Sequence, residues 1–113
     1  MRAMVSITIF RKLALAFPEA TEDPHFERTS FRYHKKIFAT YNAKDNTAVL
    51  KLSLINQSVF CSYEGGSIFY PVPGGWGTKG YTIVELNKVR KDMFADALGT
   101  AYEEVAGKKM KGC

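Results

Sequence analysis

The sequence predicts an α+β fold: a two-layer sandwich in which an antiparallel sheet of about five strands is packed by helices from the two chain ends. Three observations carry this expectation. Apolar residues recur at helical spacing near the N-terminus and again near the C-terminus, and the stretch between them alternates with a period of two. At 113 residues, 46% hydrophobic and 13% aromatic, the chain supports a single core and one domain spanning residues 1–113. The same composition excludes a disordered chain, because burial of so many Phe, Tyr, Leu and Val offsets the entropy of ordering.

The first helix is expected from Ser6 to Phe17. Ile9, Leu13, Ala16 and Phe17 form its stripe, Ser6 serves as cap, and Pro18 ends it. A meander follows, beginning with a short strand near Phe26. Phe31, Tyr33, Ile37, Ala39 and Tyr41 then share one parity, and Ala48, Leu50 and Leu52 continue the core face after the polar turn Ala43-Lys44-Asp45-Asn46. His34-Lys35-Lys36 is the first hairpin turn, made without glycine. Leu54 to Tyr63 suits a short helix closed by Glu64-Gly65-Gly66. Two more strands, near Ser67–Val72 and Tyr81–Glu85, flank the loop PVPGGWGTKG. The last helix carries Phe94, Ala97, Leu98, Ala101, Tyr102 and Val105 on one stripe, runs from near Arg90 and stops at Gly107, with Lys108, Lys109 and Lys111 beyond it.

Cys61 lies in an apolar stretch and Cys113 is the final residue, a pair that does not suggest a disulfide framework; a reducing cytoplasm is expected. The N-terminal apolar run imitates a signal peptide, but Arg11 and Lys12 interrupt it, so neither a leader nor a membrane span is expected.

Motifs for catalysis are weak. Gly75-Trp76-Gly77-Thr78-Lys79-Gly80 fits GxGxxG, yet a strand-like segment follows where a dinucleotide site needs a helix N-terminus. The glycines are read instead as turn formers that fold Trp76 back onto the domain. His25 and His34 lack ligand-spaced partners, and the run Glu19, Glu22, Asp23 and Glu27 is read as a solvated loop. Cys61 has no histidine at a catalytic spacing. No enzyme activity, metal or cofactor is expected.

Charge is more informative. Arg28, Arg32, Lys35, Lys36, Lys44 and Lys51 stand against Asp45 alone, so the window from 28 to 51 carries the whole +5 excess of the chain. By strict alternation Arg32, Lys36, Phe38 and Thr40, with Val49 and Lys51, occupy the sheet face away from the helices. Cations interleaved with an aromatic ring on an open sheet are the ingredients of a nucleic-acid surface. The alternative is the ordinary solvated side of an antiparallel sheet.

The segments ATEDPHFERTSFRY, KKIFAT, LKLS and PVPGGWGTKGYTIVEL, with the closing AYEEVAGKK, resemble the MmcQ/YjbR family of small bacterial proteins, whose fold is similar to CyaY, the bacterial frataxin. The resemblance implies an α-β-α order and a DNA-binding function. Carried over by position, it points to Arg32 and Lys36 in the SFR and KIFAT segments and to Trp76 and Lys79 in the WG loop; Lys51 joins them from parity alone. The frataxin-like acidic ridge does not carry over, since the first helix has no acid from Ser6 to Phe17. DNA, bound with weak sequence preference by a monomer, is the expected partner. The alternative function is a protein- or small-ligand-interaction module with a pocket near Trp76 and Tyr81, motivated by the six aromatics between Phe60 and Tyr81.

Overall fold

A computed structural model describes residues 5–25 and 28–107. The chain runs α1 (Ile7–Leu15), β1 (Ala20–His25), β2 (Arg28–Tyr33), β3 (Lys36–Asn42), β4 (Thr47–Lys51), α2 (Leu54–Cys61), β5 (Phe69–Pro71), β6 (Tyr81–Glu85) and α3 (Lys91–Ala106). Six strands form one antiparallel sheet in the order β1-β2-β3-β4-β6-β5. The sandwich expected from periodicity is therefore present, with one strand more than counted. The first strand of the expected meander, placed near Phe26, is found as β1 just before it, despite a Thr-Glu-Asp-Pro composition poor in β-formers. Phe26 itself lies outside the described residues.

Helix α1 starts where Ser6 accepts a hydrogen bond from the Ile9 N–H. Its buried stripe is Phe10 and Ala14, with Leu13 and Phe17 partly covered, while Ala16 is exposed. The face is thus rotated from the expected one, because Phe10 outcompetes Ile9 for the centre of the core. Its ring stacks on Phe31 at 4.9 Å and meets Phe94 edge-on at 4.9 Å. Helix α3 buries the stripe read from sequence, and ends where Gly107 takes φ 72°. Tyr102 lies fully buried between Phe17, Phe38 and Tyr33, and its hydroxyl donates to the Pro18 carbonyl at 2.8 Å. The partner the hydroxyl requires is thereby supplied by the loop leaving α1. Helix α2 is capped by Ser53, buries Gln57 and Phe60 beside β5, and leaves Leu54, Ile55 and Val59 exposed.

Between β2 and β3, His34 adopts φ 57° at the two-residue turn, taking the left-handed conformation usually given to glycine. The register then shifts: Arg32 pairs with Ile37, but Phe31 pairs with Ala39. Phe38 is the extra residue of a β-bulge. One added residue reverses the alternation, and this corrects the parity expected above. Phe38 is buried beneath Phe17 and Tyr102 on the helix side, whereas Ile37 faces the open side. Alternation then takes Lys36 toward the helix side, together with its cross-strand neighbour Tyr33.

The bulge makes a testable distinction between adjacent residues. Phe38→Ala should cost about 3–5 kcal/mol, as for other buried Phe truncations, and Ile37→Ala only about 1 kcal/mol. Urea denaturation of the two variants checks the order.

Candidate nucleic-acid interface

On the sheet face away from α1 and α3, outward positions are not uniformly polar. Register places Thr40, Val49, Ile83 and Tyr70 in one row across β3, β4, β6 and β5, with Lys51 and Tyr81 paired in the next. Ile37, Thr40, Val49, Val72, Trp76 and Tyr81 line a groove of about 470 Å³, and Arg28 borders it. A solvated antiparallel face ordinarily alternates to polar residues, so an apolar strip here is a departure from the default. Trp76 is 61% exposed at the mouth.

The loop that carries Trp76 is held on several sides. It forms a 3₁₀ turn over Gly74–Lys79 between Pro73 and Gly80. The buried Gln57 side chain of α2 donates from Nε2 to the carbonyls of Gly77 at 3.0 Å and Tyr81 at 3.2 Å. Two glycines let the backbone approach its neighbours. A Cβ on Gly77 would stand 2.1 Å from the Val72 carbonyl oxygen, and one on Gly80, at φ 100°, would stand 1.8 Å from that of Leu52. The glycine motif thus serves close packing and a left-handed turn, and strand β6 follows it directly.

Cations sit against the rings. Lys51 Nζ donates to the Lys79 carbonyl at 2.9 Å and lies 5.3 Å from the Tyr81 ring centroid. Lys79 Nζ lies 5.5 Å from that of Trp76, and the Trp76 and Tyr81 rings meet edge-to-face at 5.3 Å. The β5–β6 end has the opposite character. The Tyr70 hydroxyl donates a short hydrogen bond to Glu85, which pushes its pKa up to about 12, aided by desolvation and by the negative charges of Glu85 and Asp45.

A model of the YjbR family matches residues 15–104, most of the chain. The chain belongs to the YjbR family. The crystal structure of Deinococcus radiodurans protein DR2400, which carries a DUF419 domain, is similar to this YjbR chain at a TM-score of 0.77 and 17% identity, over 96% of this chain and 86% of that one. At that identity the likeness shows the fold. Among curated proteins none gives a significant match.

Of the residues singled out from sequence, the YjbR fold brings Lys51, Trp76 and Lys79 together. Arg32 is on the same face beside Ile37, but its Nε donates to Ser30 Oγ at 3.2 Å and lies 3.9 Å from Asp23 Oδ2. Lys36 is exposed and belongs by alternation to the other side. Arg28, Ile37 and Val72 complete the groove and were not expected there, whereas Val49 holds the open-face position that parity gave it. Among the described acids, Glu22 pairs with Arg11, Glu19 with His34 and Asp23 with Arg32, so that run is divided among three separate side chains. Burial pushes the Cys61 thiol up, away from the thiolate a nucleophile needs. Among the described residues no helix is long and apolar enough to cross a membrane.

Two measurements check this geometry. Gly80→Ala should lower stability by about 3 kcal/mol through strain and backbone collision, while Gly65→Ala, at φ 64° with open space around its Cβ, should cost about 1 kcal/mol. Chemical denaturation compares them. Because the folded Tyr70 pKa lies above the unfolded value near 10, its contribution to stability is complete below about pH 10 and is lost as pH rises toward about 12. NMR titration of the Tyr70 ring carbons should show a late transition, moved down toward 10 by Glu85→Gln.

Proposed function

We propose that this YjbR protein is a non-enzymatic DNA-binding protein that acts through the open sheet face and the WG loop. The observation that carries the reading is an exposed Trp76 on a clamped loop, with Lys79, Lys51 and Arg28 around an apolar groove. Lysines and arginine meet phosphates, and an exposed ring accepts a base or sugar. An exposed tryptophan held by hydrogen bonds to its loop is a presented group, since binding then needs little further ordering. The raised Cys61 pKa fits a binding role without covalent chemistry. The Cys61 thiol suits a reducing cytoplasm, the compartment this reading assigns.

A second reading also has an observation in its favour. The groove is concave and mostly apolar, and its volume of about 470 Å³ falls within the range usual for small-ligand sites. In that case an uncharged aromatic ligand or peptide side chain should displace Lys79 from Trp76 with little dependence on salt.

Fluorescence anisotropy with labelled DNA across a salt series separates the two. Three phosphate contacts give a log-log slope of about −3 for duplex and about −2 for a single strand. Lys51→Glu should weaken binding more than ten-fold, and Lys36→Glu far less. Absence of binding at low salt removes the nucleic-acid reading.

A further inference from the structure

We infer that the groove beside Trp76 receives an unpaired nucleobase, so that the protein binds single-stranded nucleic acid in preference to duplex. The inference rests on the nucleic-acid reading above and narrows its substrate class. A duplex offers phosphates and base edges, while the faces of its bases are covered by their stacked neighbours. Reading base edges calls for hydrogen-bonding side chains on an element that enters a groove of the helix. The open sheet face offers the reverse. Ile37, Val49 and Val72 have no polar side-chain atom, and with Tyr81 and Trp76 they form a concave apolar surface suited to the flat face of a ring.

Placement of the cations agrees with a single strand. Lys51 and Lys79 stand on the same side of the groove as the two rings, one at 5.3 Å from Tyr81 and the other at 5.5 Å from Trp76. A base laid against Trp76 therefore brings its own phosphate within reach of both ammonium groups. Lys79 covers the ring in the free protein through a flexible stem, and it turns to the phosphate when a base takes its place. Lys51 is already fixed by the Lys79 carbonyl and keeps its charge at the rim. To present a base face from a duplex the protein would have to unstack it, at a cost that a single strand does not impose. Arg28, at the opposite border of the groove, supplies a cation for the next phosphate along the strand.

Trp76 is the one tryptophan of the chain, so its own fluorescence reports the contact. The purified protein is titrated with a twelve-residue oligothymidylate, the same length of oligouridylate, a duplex of equal phosphate number, and an abasic single strand of equal charge. Expected results are quenching of Trp76 by oligothymidylate or oligouridylate and at least ten-fold weaker binding of both duplex and abasic strand. Trp76→Ala, followed by anisotropy, should weaken single-strand binding about ten-fold or more and Trp76→Phe should restore part of it. Lys79→Ala should reduce the salt slope by about 0.7 while leaving the quenching in place. Equal or tighter binding of duplex, with Trp76→Ala unaltered and the salt slope intact, overturns this inference and leaves DNA binding standing. Failure of all four polymers to bind at low salt overturns both.

Discussion

The β-bulge at Phe38 is the constraint on which the rest of the molecule depends. A strand of unbroken alternation would place Phe38 in water and Ile37 under α3. With the extra residue, Phe38 joins Phe17 and Tyr102 in the core, and Ile37 reaches the other side of the sheet. One inserted position therefore lets Phe38 complete the aromatic core and Ile37 join the apolar floor of the groove. Core packing and surface chemistry are coupled through one register shift.

The groove in turn depends on how tightly the WG loop is held. Gln57 spans two carbonyls of that loop from the neighbouring helix, and Gly77 and Gly80 allow contacts that any side chain would block. A buried amide is costly unless its donors are used, and here both bonds go to main-chain oxygens that also accept the Gly80 and Val72 N–H groups. Burial of a polar group thus positions a ring that is itself left largely in solvent. Rigidity beneath and exposure above are what a recognition surface needs.

Much of this architecture is legible in the sequence. The stripe of α3 and its glycine stop, the Ser6 cap, the AKDN turn and the strands around Leu50 and Val84 follow from periodicity and capping chemistry. The interface is legible in part. Lys51 was found by parity because β4 is regular, and Trp76 and Lys79 by resemblance. Parity failed for Lys36 and Phe38 because a bulge leaves no mark in the hydrophobic pattern, since Ile37-Phe38-Ala39 is apolar in either register. Strand β1 was expected only loosely, near Phe26, for a different reason: its bounds are set by pairing with β2, which outweighs the weak strand propensity of its Thr, Glu, Asp and Pro. Arg28 could be placed at the groove only once the three-dimensional path of β2 was known.

The bond from Tyr70 to Glu85, with Asp45 close by, gives the open face a direction. Moving along β6 from the WG loop, an approaching anion passes from ammonium groups to carboxylates, so attraction turns to repulsion within the length of one strand. The open face is thus polarised, with one end that draws negative charge and a corner that turns it away.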